Sequence, residues 1–129
     1  MKACSGINPV DEVWNTISQA PSKPMGLAKP HPIHYSGRKA SDKIKEIHQF
    51  LQKKNLAAFV FPALDEVAWL CNFRGCDVAF NPVTISYLVV TQNGAHLFID
   101  KQKVTILFTI HFFFFTNEPR FHQNLLIIY

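Results

Sequence analysis

Three features predict an α/β or α+β layer that is cut short. They are an amphipathic helix over Ser41–Lys54, a short apolar strand followed by a second helix, and an Asn-Gly turn between two apolar runs. Helix, strand, helix, loop and hairpin in that order lay helices against a sheet that ends early. The 129 residues leave room for one modest domain or for pieces of two.

Within Asn8–Ile17, the residues Val10, Val13, Trp14 and Ile17 recur at the i, i+3, i+4, i+7 spacing of one helix face. Pro9 stands before them, and Asp11 and Glu12 suit a first turn. One such helix cannot bury its face alone and needs a partner. From Gln19 to Tyr35 the prolines Pro21, Pro24, Pro30 and Pro32 exclude a continuous helix and predict a semi-stiff, exposed linker.

In Ser41–Lys54 the apolar stripe is Ile44, Ile47, Phe50 and Leu51, with Lys43, Lys45, Glu46, Gln49, Gln52 and Lys53 expected toward water. Ser41 is the expected N-cap, Lys53 and Lys54 suit the C-terminal dipole, and Asn55 can end the helix. Leu56–Phe61 is a continuous apolar run stopped by Pro62, which predicts a strand covered on both faces. Leu64–Cys71 reads as a helix with Asp65 and Glu66 in its first turn and Leu64, Val67, Ala68 and Cys71 along one side. A loop over Asn72–Val83 holds Gly75 and Pro82. Ser86–Thr91 and Ala95–Ile99 then form a hairpin across Gln92-Asn93-Gly94, where an Asn-Gly turn calls for positive φ at both positions.

Composition sets limits on function. Hydrophobic residues at 48% and charged residues at 17% exclude a disordered chain. The formal charge of +4 gathers in Lys23–Lys45 and Lys53–Lys54 and reads as a solvated face and a charged linker, with no nucleic-acid module visible. Val104–Phe115, the longest apolar-rich run, is broken by His111 and falls short of the roughly 20 residues of a membrane span. An odd cysteine count (Cys4, Cys71 and Cys76) and no signal core near Met1 point to reduced thiols and a cytoplasmic setting.

No nucleophile–base pair, phosphate loop or oxyanion motif is visible, so no catalytic residue is assigned. His31 and His34 lie in the Pro-rich stretch without a nearby Cys or acidic partner, and Cys71 and Cys76 have no second pair; neither is assigned a metal. His48 and His96 read as solvated side chains. Glu66 and Asp77 are explained by helix-start electrostatics and loop hydrogen bonding. Arg74, beside Gly75, is the residue with the most scope: its guanidinium can hold a carboxylate. Arg74 and Asp77 are therefore the candidate loop-structuring or substrate-proximal residues, with an Arg74–Asp77 pair favoured over substrate contact.

The run Ala63–Asp77, continuing to Asn81-Pro82-Val83, Ser86-Tyr87 and Leu97–Asp100, resembles the aminopeptidase P family. More narrowly, it resembles the second of the two N-terminal domains of the three-domain eukaryotic form. Val10–Trp14 is similar to the end of the first such domain. The resemblance covers about Asn8 to Lys103. It implies residues 1–18 as the end of a first domain, 19–35 as a linker, and 36–103 as the first half of a second domain. That domain is of the creatinase/prolidase N-terminal type, a mixed sheet with flanking helices, here truncated. For the parent enzyme it implies removal of an N-terminal residue that precedes proline, and a divalent metal, manganese, held by Asp, His and Glu on a separate pita-bread domain. It further implies peptide substrates with proline second, a homodimeric parent, and no nucleic-acid or membrane partner. The chain alone is then expected to be inactive and not to form the native dimer. The alternative implied by the same fold is a non-catalytic peptide-binding module, as in a histone-chaperone subunit.

Beyond Lys103 the character changes. Residues 104–129 are rich in Ile, Leu, Phe, Asn, His and Tyr, including Phe112–Phe115. These residues share AT-rich codons, and Lys103-Val104-Thr105 can be encoded by a splice-donor consensus. The stretch is therefore expected to be a non-homologous tail, a translated intron, whose deletion would improve solubility.

Overall fold

The computed structural model describes residues 9–17, 19–108, 119–122 and 125–128. Cys4 and Phe112–Phe115 lie outside the described residues.

Helix α1 (Pro9–Thr16) forms where the periodicity places it, and none of its residues is buried. Val10, Val13, Trp14 and Ile17 stay exposed. The helix is tied to the following stretch by Trp14 Nε1, which donates to Pro21 O at 3.2 Å.

That stretch is not an exposed linker throughout. Ala28 is fully buried. Its N–H donates to Lys103 O at 2.8 Å, and Lys29–Pro30 (β1) pairs antiparallel with Phe73–Arg74 (β3). Proline excluded helix here, as expected. The unpaired backbone donors were then taken up by the domain rather than by water. A single turn, α2 (Ile33–Ser36), ends on Gly37 in the left-handed region with φ 71°.

Helix α3 (Ala40–Lys54) begins one residue before the expected Ser41 cap. Lys39 occupies the N-cap without a side-chain bond. Ala40 is completely buried, so packing sets this end of the helix instead of a cap. The other end is as expected: Asn55 adopts φ 53° and its N–H donates to Gln52 O and Leu51 O. Leu51 is in the core, Ile44 and Ile47 pack against it, and Phe50 is left exposed. Lys43, expected toward water, is buried.

Strand β2 (Ala58–Phe61) corrects another expectation. It is not covered on both faces: only Phe61 is buried, Ala58, Phe59 and Val60 are exposed, and among the described residues it pairs with one neighbour. The sheet order is β2-β4-β5-β7-β6, with β4 (Ser86–Thr91), β5 (Ala95–Asp100), β6 (Pro119–His122) and β7 (Leu125–Ile128), and every strand pairing in it is antiparallel. Helix α4 (Leu64–Cys71) has the predicted bounds and buries Val67, Ala68, Leu70 and Cys71. The β4–β5 hairpin is also as predicted, but neither Asn93 nor Gly94 has positive φ. The turn sits one residue earlier than Asn93-Gly94: Val90 opposes Ala95, and Thr91 N–H donates to Gly94 O at 2.8 Å, which leaves Gln92 and Asn93 at the tip.

Along β4 and β5 burial alternates. Leu88, Val90, Ala95, Leu97 and Ile99 are buried in one core with the helices, while Tyr87, Val89, His96 and Phe98 lie at the alternate positions and are less covered. The core does not stop at Lys103. Val104 packs against it and forms a parallel bridge with Ala28, and Phe108 is fully buried, edge-on to Phe73 at 5.3 Å. The α/β class holds. The expected boundary after Lys103 is not a boundary in the packing, because these apolar side chains fill space that the sheet and α4 leave open.

Candidate functional site

The loop from Asn72 to Ile85, between α4 and β4, carries both candidate residues, and the structure assigns them different partners. Arg74 does not pair with Asp77. Its Nη1 donates to Ala68 O at 3.0 Å and to Phe73 O at 2.8 Å. Asp77 instead accepts from Lys103 Nζ at 2.6 Å, from Ile85 N–H at 2.7 Å and from Gly26 N–H at 3.2 Å. The Asp77 side chain is 0% exposed and that of Lys103 5%. One carboxylate thus pins three segments: the docked Pro-rich stretch, the start of β4, and the turn after β5. A buried carboxylate holds its charge only where such donors surround it.

The second polar node caps α4. This helix has no basic residue in its last turn, so its final carbonyls need outside donors. Arg74 supplies one, on Ala68 O. Lys43 supplies another, reaching from α3 to Trp69 O and to Asn72 Oδ1 at 2.6 Å, with its Nζ 4.4 Å from the Trp69 ring centre. Asn72 itself sits at φ 52° and passes the contact on through Nδ2 to Arg38 O at 2.7 Å. Burial holds the Lys43 ammonium below the usual lysine value. Burial likewise pushes the neighbouring Cys71 thiol up to about 12, with Lys43 opposing, so this thiol is protonated and inert.

His31 is lowered by burial first and then by the charges of Arg74, His34 and Lys43, which favours neutral imidazole. Its backbone N–H donates to Asn72 O at 2.8 Å. His34 tilts over Tyr35, with ring centres 3.9 Å apart. His48, expected on a solvated side, is half-buried, and its Nε2 has no hydrogen-bond partner among the described residues. Glu66 is exposed in the first turn of α4. Cys76 is an exposed free thiol.

Two close approaches set the loop's shape. A Cβ on Gly75 would overlap Thr84 Oγ1, and one on Gly26 would overlap Cys76 Sγ. Val78 and Asn81 then bridge a tight turn, at whose tip Phe80 is exposed with φ 62°. A shallow cleft of about 380 Å³ lies beside the loop, lined by Met25, Ile85, Tyr87, Phe98, Asp100 and Lys103 among others. Of its charged groups, Lys103 is committed to Asp77 and Asp100 to the Gln102 N–H at 2.9 Å, while the exposed Lys23 lies 3.9 Å from Asp11. The arrangement can position loops, and it brings no base or nucleophile to the cleft.

Sequence reasoning missed Lys43, Asn72 and Lys103 as members of these nodes. For Lys43 the signal was present. Ala40, Lys43, Ile44, Ile47 and Leu51 fall on one helical stripe, and all five are buried or packed on the core.

Among the described residues no three or more His, Cys, Asp or Glu side chains come together to hold a metal ion.

The profile of the creatinase/prolidase N-terminal domain matches residues 19–118. The chain is 41% identical over 110 residues to the probable Xaa-Pro aminopeptidase P of Ajellomyces capsulatus, covering 81% of this chain and 18% of that protein. It is 39% identical over 104 residues to the protein of the same name from Talaromyces stipitatus, covering 81% of this chain and 16% of that one. Among solved structures it is similar to the X-prolyl aminopeptidase of Caenorhabditis elegans, a cytosolic enzyme with a di-nuclear active site. There the TM-score is 0.75 at 33% identity, over 84% of this chain and 17% of that one. The chain thus spans less than a fifth of the relatives it matches. On these matches and on the α/β architecture just described, the chain belongs to the creatinase/prolidase N-terminal domain family.

Proposed function

We propose that these residues are the non-catalytic N-terminal portion of an Xaa-Pro aminopeptidase of the P type, a metallopeptidase that releases an N-terminal residue ahead of proline. The observation that carries this reading is the 41% identity to an Xaa-Pro aminopeptidase P, confined to 18% of that protein's length. In this reading the chemistry, with its divalent metal (manganese), resides in a separate pita-bread domain, peptides with proline second are the substrates, and the parent acts as a cytoplasmic homodimer. Arg74 and Asp77 serve here by holding the 72–85 loop in one shape, each through its own set of partners. Both the buried ion pair and the capped end of α4 suit a rigid platform better than a reactive centre.

A chimera tests this. Residues 19–108 would replace the corresponding segment of the Caenorhabditis elegans enzyme, and turnover of an Xaa-Pro peptide would be measured with added manganese. Retained turnover supports the reading, whereas a folded but inactive chimera counts against it. The 129-residue chain alone is expected to show none, and chelator-sensitive turnover by it would overturn the non-catalytic assignment.

A further inference from the structure

The tip of the β4–β5 hairpin holds both reacting groups of an intramolecular reaction on neighbouring residues. Gln92 and Asn93 form the tip, and Thr91 N–H donates to Gly94 O at 2.8 Å behind them. Asn93 is exposed, and among the described residues its carboxamide makes no hydrogen bond. The Asn93 N–H donates to Thr91 Oγ1 at 3.3 Å, whereas the next donor, Gly94 N–H, has no acceptor among the described residues. Gly94 also lacks a side chain that would shield its nitrogen. Nothing in the described chain therefore ties Gly94 N or the Asn93 carboxamide down, and their union closes a cyclic imide.

The other described asparagines are each held back by a different feature. Asn72 is buried, with Oδ1 accepting from Lys43 Nζ and Nδ2 donating to Arg38 O. Asn55 is followed by Leu56, whose N–H is spent on Leu51 O at 2.9 Å. Asn81 precedes Pro82, which has no N–H to lose. Asn15 lies within α1, and the branched Thr16 follows it. We propose that Asn93 is a self-modification site, converted with water to aspartate and isoaspartate. Hydroxide takes the Gly94 amide proton, the Gly94 N–Asn93 Cγ bond forms, the Cγ–Nδ2 bond breaks, and ammonia leaves with a proton from water. Water then adds to either imide carbonyl, and the ring opens to an aspartyl or an isoaspartyl linkage. The isoaspartyl form carries the backbone through Cβ and Cγ and so lengthens the tip by a methylene. Gly94 O is then drawn away from Thr91 N–H and Thr91 Oγ1, which donate to it at 2.8 and 3.2 Å, and a carboxylate stands where the neutral amide was.

The test incubates the full chain at mildly alkaline pH, natively and in urea, and maps the peptide that holds Asn93 by mass. Methylation by protein isoaspartate methyltransferase with S-adenosylmethionine separates the isoaspartyl product from the aspartyl one. Native and unfolded chains are expected to lose the Asn93 amide at rates within about tenfold of each other, since the fold offers the tip no protection. Asn72 is expected to stay intact in the native chain. Gly94→Ala, at a position without positive φ, is expected to slow the native reaction at least about tenfold, with the fold checked by circular dichroism. In the purified isoaspartyl product, exchange of Thr91 N–H is expected to be at least about tenfold faster. The proposal is overturned by native protection of Asn93 beyond about tenfold, by native loss at Asn72 matching that at Asn93, by a folded Gly94→Ala chain reacting at the wild-type rate, or by unchanged Thr91 exchange in the product.

Discussion

Asp77 and Lys103 form an ion pair of 2.6 Å inside the protein, with the carboxylate enclosed by two backbone N–H groups as well as the ammonium. Removing one partner leaves the other buried and uncompensated, which costs about 3–5 kcal/mol. Asp77→Ala is therefore expected to lower the unfolding free energy by that amount in a urea titration. Adding Lys103→Met should recover part of the loss only, because the N–H groups of Gly26 and Ile85 remain without an acceptor. A double variant no better than Asp77→Ala would show that the ion pair contributes little.

Cys71 gives the chain an alkaline limit. Its thiol is pushed up to about 12 from 9.0, so between those values the folded chain keeps a proton that the unfolded chain has lost. Stability is fully present below the unfolded value and falls as pH rises through this window, by on the order of 4 kcal/mol in all. Lys43 works in the opposite sense: its folded value is lowered, so the unfolded chain holds the extra proton and stability rises with pH below 10.5. Cys71→Ala should flatten the alkaline fall and leave the Lys43 rise in place, as read from denaturation midpoints across pH.

Thiol accessibility follows from the same geometry. Cys76 is exposed and Cys71 enclosed in the core. Iodoacetamide is expected to alkylate Cys76 promptly in the native chain and Cys71 only on opening of the α3–α4 packing. Mass mapping that finds both labelled at one rate would contradict the buried placement.

Gly75 is required for space. An alanine there meets Thr84, whose hydroxyl is buried without a hydrogen-bond partner among the described residues. Gly75→Ala should cost about 1–3 kcal/mol, and Thr84→Ala in the same chain should relieve most of it. Additive losses in the double-mutant cycle would refute the contact.

Phe108 reverses an expectation about the tail. Deleting residues 104–129 removes Val104 and the fully buried Phe108 from the core. The deletion should therefore destabilise the chain, and Phe108→Ala alone should cost about 3–5 kcal/mol in thermal or urea unfolding. A truncated chain at least as stable as the full one would restore the sequence-based view of a dispensable tail.

Helices α3 and α4, the hairpin β4–β5 and the family resemblance were all legible in the sequence. The helices and the hairpin each rest on information within about a dozen residues: an apolar repeat, acidic first turns, an Asn at a helix end, an Asn-Gly between strands. What the tertiary structure alone decided depends on partners far apart along the chain. Asp77 reaches Gly26 across 51 positions and Lys103 across 26, and Lys43 reaches Asn72 across 29. No local pattern says that a linker's N–H will find Asp77 or that Lys43 will cap a different helix. A buried charge is stable only where several segments converge on it.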